Sequence, residues 1–289
     1  MTRKFVFVCV LLAGFIPVIV HAQENPLLDA DFWKIATPED VIKVLDSGAD
    51  IEAYDEDGWT PLHFAAGISD KPEVLALLLD RGAGIESRDK DGYTPLYWAS
   101  GYSKTPEVAT TLLDSGADIE ARDNIGRTAL HLAVGFSGTS EGGALLLDRG
   151  ADIEARTENG LTPLHSAALN TQTSETTALL LYRGADIEAR TRNGLTPLHV
   201  VIGHRENLEV TELLLDAGAD IEARATGRWT PLHFAASGKT SVIVELLLDR
   251  GANAKTQTDD GLTPFDLAKV NEHLRNTKAY WLLNEAQYQ

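Results

Sequence analysis

Five histidines recur in one local setting. His63, His131, His165, His199 and His233 each end a Thr-Pro-Leu-His or Thr-Ala-Leu-His tetrapeptide. Imidazole is a common metal ligand, so such a row raises the prospect of a metal ladder in a metal- or ligand-dependent enzyme. The competing reading makes each ring structural, bonded to backbone and to the neighbouring copy. The tetrapeptides step by 34 residues. As packed helices, that step puts successive rings about 8–10 Å apart, too far to share one ion at ~2 Å bonds. The histidines are assigned to the scaffold, and no metal or other cofactor is expected.

No other constellation suggests catalysis. There is no Gly-x-Ser-x-Gly elbow, phosphate loop or His-Glu-x-x-His in the chain, and the many Asp and Glu fall at fixed positions of the repeat. An enzyme needs a singular pocket of dissimilar groups. Here everything is replicated, so no catalytic residue is assigned.

Two replicated sets remain as candidates for binding. In Asp118-Ile119-Glu120-Ala121-Arg122 an extended backbone points Ile119 and Ala121 one way and the charged residues the other. Arg88, Arg122, Arg156, Arg190 and Arg224 then form a row beside Glu86, Glu120, Glu154, Glu188 and Glu222. One reading is an arginine ladder gripping an acidic segment of a partner, since Arg suits bidentate contacts. The other is that Arg and Glu pair along the stack, each exposed pair contributing about 0–1 kcal/mol. The equal regularity of the glutamates favours pairing. The second set precedes each Thr: Trp59, Tyr93, Arg127, Leu161, Leu195 and Trp229. With Ile68, Tyr102 and Phe136 near the ends of first helices it makes an aromatic and apolar stripe, the composition that dominates interface energetics. The opposing reading is that these rings pack on the next copy.

The elements that hold these residues follow from simple rules. Thr-Pro opens a helix, because Thr caps free N–H groups and Pro suits the first helical position. The pattern starts at Thr60, Thr94, Thr128, Thr162, Thr196, Thr230 and, worn down, Thr263, the last step being 33 residues. Leu62, Ala65 and Ala66 face the core at helical spacing. A second helix follows, clearest from Pro72 to Leu79, and Gly82 stops it. One such unit cannot bury its own apolar face; stacking copies does.

The chain of 289 residues carries Lys+Arg 25 against Asp+Glu 43, a net charge of −18, which disfavours nucleic acid as a partner. Residues 1–22 read as a secretory signal peptide: Arg3 and Lys4, then apolar Phe5 to Val20, then Val20-His21-Ala22 before a cut at Gln23. The alternative is an uncleaved anchor. Cleavage removes the one Cys, at position 9, and takes the charge from −18 to −20 by losing Arg3 and Lys4. A cysteine-free acidic chain suits the periplasm or the medium, with no stable membrane insertion after cleavage.

Gly-Leu-Thr-Pro-Leu-His at 160–165 and Leu-Leu-Leu-Asp-Arg-Gly-Ala-Asp-Ile-Glu-Ala-Arg at 145–156 resemble ankyrin repeats. The family's usual repeat has 33 residues, and the extra residue here falls between the two helices. The resemblance implies an all-α solenoid of L-shaped helix-turn-helix units with β-hairpin fingers along one edge. Seven or eight units would make a curved rod roughly 60–80 Å long. It also implies a non-catalytic protein–protein interaction module, with the partner on the concave face of fingers and first helices. The organisation expected is a capping unit at 23–58, six full repeats over 59–259 and a C-terminal cap at 260–289, as a monomer. A secreted effector delivered to another cell is the remaining alternative. Two local departures stand out. Arg228 replaces the turn glycine of the other fingers, with Gly227 one place earlier; Gly142 and Gly143 sit where the third copy needs its second helix. That copy is expected to be a weak point.

Overall fold

The computed structural model describes residues 25–103, 105–136, 139–170, 173–204 and 207–288, so the expected leader at 1–22 lies outside the described residues. Among them are sixteen α-helices, two 3-10 turns and no strand. The first unit holds α1 (Ala30–Ile35) and α2 (Pro38–Asp46). Six helix pairs follow: α3 (Pro61–Ile68) and α4 (Pro72–Asp80), α5 (Pro95–Tyr102) and α6 (Pro106–Asp114), α7 (Ala129–Phe136) and α8 (Glu141–Asp148). Next come α9 (Pro163–Ala168) and α10 (Glu175–Tyr182), α11 (Pro197–His204) and α12 (Leu208–Asp216), α13 (Pro231–Ser237) and α14 (Ser241–Asp249). The end unit is α15 (Pro264–Val270) and α16 (Lys278–Ala286). First helices pack in series from α3 to α15, giving the all-α solenoid expected from the repeat.

Local chemistry sets both ends of each helix. Thr37 and Asp40 form a capping box on α2, and Thr263 and Asp266 do so on α15. After α4 the chain turns back through Gly82 at φ +94°, with Ala83 N–H bonded to Leu78 O at 2.9 Å. Leu62, Leu96, Leu130, Leu164, Leu198 and Leu232 of the first helices are buried. They meet buried Leu78, Leu112, Leu146, Leu180, Leu214 and Leu247 of the second helices. Each buried leucine contributes roughly 1.5–3 kcal/mol, so the spine of the molecule is also its core.

Two expectations are corrected. The arms are tight turns rather than extended segments: Ala121 N–H donates to Asp118 O at 3.1 Å, and Ala155, Ala189 and Ala223 repeat the bond. The cause is Asp118, whose Oδ1 accepts the Glu120 N–H at 2.9 Å and so favours a turn over a strand. The fingers likewise reduce to four-residue turns, Gly92 N–H to Asp89 O at 3.0 Å. Adjacent fingers are joined by single backbone bonds such as Lys90 N–H to Asp57 O at 2.9 Å. In the third copy α8 forms through Gly142 and Gly143, where side chains would crowd their neighbours. A Cβ at 142 would stand 3.0 Å from Ser100 O, and one at 143 would stand 2.9 Å from Val134 Cγ1. The finger at 226–228 does bend differently, with Gly227 at φ +73° and Arg228 at φ +60°.

Candidate binding face

Each repeated histidine is consumed inside the stack. His165 Nδ1 accepts the Thr162 N–H at 3.2 Å, and Nε2 donates to Leu195 O of the next copy at 3.0 Å. His63, His131, His199 and His233 make the same pair of contacts, to Tyr93, Leu161, Trp229 and Leu262 carbonyls. With both nitrogens engaged, the ring is held neutral. Burial pushes His131, His165 and His199 down to about 4. Neither nitrogen is left for a metal, and the rings act as staples between copies.

The charged ladders also turn inward, in a way neither sequence reading described. Arg122 Nη1 donates to Gly126 O of its own finger at 3.2 Å and to Arg156 O of the next at 2.6 Å. Arg88, Arg156 and Arg190 repeat this to Arg122, Arg190 and Arg224 carbonyls. The glutamates bind elsewhere: Glu120 Oε1 accepts the Asp152 N–H at 2.8 Å, Glu154 the Asp186 N–H and Glu188 the Asp220 N–H, each at 2.7 Å. Arg and Glu of the ladders therefore hold backbone, and not each other. Most ion pairs that cross copies among the described residues lie at the ends of second helices. Arg149–Asp114 and Arg183–Asp148 close at 2.8 Å, and Arg250–Asp216 at 2.7 Å. They were missed in the sequence, although the Asp-Arg-Gly triplet after the second helix was visible.

On the face of fingers and first helices, the stripe residues divide into two groups. Trp59, Tyr93 and Arg127 come together in the first three copies. Trp59 meets Trp98 at 4.2 Å between centroids, Tyr93 stacks on Tyr97 at 4.2 Å, and Arg127 lies 5.5 Å over Tyr93 while its Nε holds Asp123 at 2.7 Å. Trp98 binds Asp89 Oδ2 through its indole N–H at 3.0 Å. Sequence reading missed Trp98; the signal was the position four after each Thr, which reads Phe64, Trp98, Leu132, Ser166, Val200, Phe234. Ile68 packs on the core, whereas Tyr102 and Phe136 are half exposed at the ends of α5 and α7. Trp229 sits apart, against Phe234 at 5.4 Å. Arg224 and Arg228 are exposed.

Leu161 and Leu195 form the second group, and here the face opens. Ser166 and Val200 place no ring over them. In the fourth copy Leu169 stands where Gly67, Gly101, Gly135 and Gly203 occur, and α9 ends at Ala168, a quarter-turn or more short of its counterparts. The result is a groove of about 550 Å³ floored by Leu161, Leu169, Leu195 and Val200 and rimmed by Asn159, Thr191, Asn193 and His204.

The family description "Ankyrin repeats (3 copies)" matches residues 34–123 and 130–225, and "Ankyrin repeats (many copies)" matches 214–268. The crystal structure of the human ASB11 ankyrin repeat domain superposes with a TM-score of 0.67 at 26% sequence identity. That similarity covers 79% of this chain and 98% of that one. No curated protein matches the chain. No described helix is long and apolar enough to cross a membrane. Ankyrin repeats are protein–protein interaction scaffolds, and by the extent of the match this chain belongs to the ankyrin-repeat family.

Proposed function

We propose that this chain is a non-catalytic scaffold acting outside the cytoplasm as a monomer, which holds one protein partner along the concave face of fingers and first helices. The observation that carries the reading is where the polar groups go. The repeated His, Arg and Glu are spent on backbone of neighbouring copies, while the finger-and-first-helix face keeps an open groove and the half-exposed rings of Tyr102 and Phe136. Interfaces gain most from such apolar and aromatic anchors. The net charge of −18 argues against nucleic acid. Export rests on the sequence of residues 1–22, and its check is a mature N-terminus at Gln23 in the extracytoplasmic fraction.

The test is affinity capture from the native envelope fraction, read by mass spectrometry. The triple variant Tyr102→Ala, Phe136→Ala, Leu195→Arg is expected to lose a partner that the parent retains. Equal recovery by both proteins contradicts the reading.

A further inference from the structure

We infer that the aromatic platform of the first two copies docks a basic segment of the partner. One lysine or arginine lies on its rings, and the neighbouring ones face the carboxylates of the first two fingers. This rests on the scaffold reading and adds the chemistry of what is held. The platform is a closed surface of ring faces and edges, with no cavity to fill. Trp59 follows the turn glycine of the first finger, and Trp98 lies 4.2 Å from it between centroids. Tyr102, four residues beyond Trp98 on the same side of α5, lies 5.0 Å from that ring. Trp59 and Trp98 are part buried, while Tyr102 is 53% exposed.

The molecule makes this kind of contact twice with cations of its own. Arg127 lies 5.5 Å over Tyr93 and 5.7 Å over Tyr97, and its Nε is anchored by Asp123 at 2.7 Å. Lys269 lies 5.0 Å over Phe265 and holds Asp266 at 2.6 Å. In both, the ring quadrupole attracts the cation and a carboxylate fixes its position. No described Lys or Arg lies over Trp59, Trp98 or Tyr102. The side chains of Glu56, Asp57 and Asp91 are exposed and form no hydrogen bond or ion pair with any described residue. Trp98 is tied to the second finger by its 3.0 Å bond to Asp89, so the rings and these acids belong to one surface. The complement of both is a cationic side chain.

Charge chooses the class of segment. The first two fingers carry Asp55, Glu56, Asp57, Asp89 and Asp91 against Lys90 alone, whereas the fifth and sixth carry Arg192 and Arg228 and no acid. Residues 25–103 hold 16 Asp and Glu against 6 Lys and Arg, in a chain of net charge −18. Such a field draws Lys and Arg to the rings and repels an acidic segment.

Fluorescence anisotropy on the full chain tests this with three labelled 12-residue Gly-Ser peptides, carrying four lysines, four glutamines or four glutamates. The lysine peptide is expected to bind at least tenfold more tightly than either of the others, and less tightly as salt is raised. Glu56→Gln with Asp57→Asn and Asp91→Asn is expected to weaken it at least tenfold, and Tyr102→Ala at least threefold. Neutralising three acids of second helices, by Asp80→Asn with Glu212→Gln and Asp249→Asn, controls for overall charge and should change affinity less than twofold. Equal binding of the glutamine peptide, equal loss in the two triple neutralisations, or unchanged affinity in Tyr102→Ala overturns the inference. In that event, a partner still lost by the Tyr102, Phe136 and Leu195 variant in the capture above leaves the scaffold reading standing. Equal recovery there as well removes both.

Discussion

In the second copy Tyr97 stands where the others carry histidine, and Trp98 follows it; in the fourth, His165 is in place and Ser166 follows it. The second copy fills the space above its first helix with stacked rings and gives up the staple. Its Tyr97 hydroxyl is buried with no hydrogen-bond partner, which burial also holds above the ordinary phenol range. The fourth copy keeps the staple to Leu195 O and leaves the space above it open. The same backbone thus bears two kinds of surface, one closed by its own aromatics and one available to something else. On top of the shared leucine core, the histidines or the rings add cohesion between copies, while access depends on the side chain four residues after each Thr and, in the fourth copy, on Leu169 and the shortened α9.

Acid separates the two regions most strongly. His131, His165 and His199 sit at about 4 in the folded chain against 6.5 when unfolded, so the fold prefers the neutral ring. Their stabilisation is complete above about pH 6.5 and is lost as pH falls through 6.5 towards 4, because the unfolded chain takes up protons first. The loss amounts to about 3 kcal/mol per ring at most. Asp266, at about 2, adds a loss only below the ordinary carboxylate range. Urea unfolding at pH 7.5, 5.5 and 4.5 should show a falling midpoint, with hydrogen exchange rising first across copies three to five. A flat response above pH 4.5 breaks the staple account.

Single substitutions come next. His165→Ala removes one ring and leaves Leu195 O unpaired, an expected loss of about 3 kcal/mol by chemical denaturation. Tyr97→Phe removes a hydroxyl that bonds to nothing and should gain about 1 kcal/mol. If the two move stability alike, the contrast between the copies is wrong. Trp98→Ala should cost about 2–3 kcal/mol, since the ring is only part buried yet joins Trp59, Tyr93 and Asp89. The smallest effect lies behind the open groove. Thr176 of α10 is buried with an unpaired hydroxyl, so Thr176→Val should gain about 1 kcal/mol in thermal or urea melts.

Much of this was legible in the chain because repetition exposes what each position must do. Thr-Pro caps, leucines at helical spacing and Gly82 located the helices, and the 34-residue step identified the histidines as shared parts. The pairings were not legible. Glu120 bonds to Asp152, 32 residues on, while Arg122 bonds to Arg156, 34 on. Sequence alignment of copies suggests that equal positions meet, but the turn of each arm offsets them by two. The arms themselves read as strands by alternation, and Asp118 overrode that through a bond to its own backbone. The groove escaped because it depends on what is missing from Ser166 and on Leu169 replacing a glycine. Neither residue looks functional alone.

The central claim is that the partner lies on the face of fingers and first helices. Site-specific photo-crosslinking tests it most directly, with a benzophenone amino acid at position 195 in the groove or at position 182, an 87% exposed tyrosine ending a second helix. In the native envelope, position 195 should crosslink to one discrete protein and position 182 to none. A crosslinked partner from 182 with nothing from 195 would contradict the account.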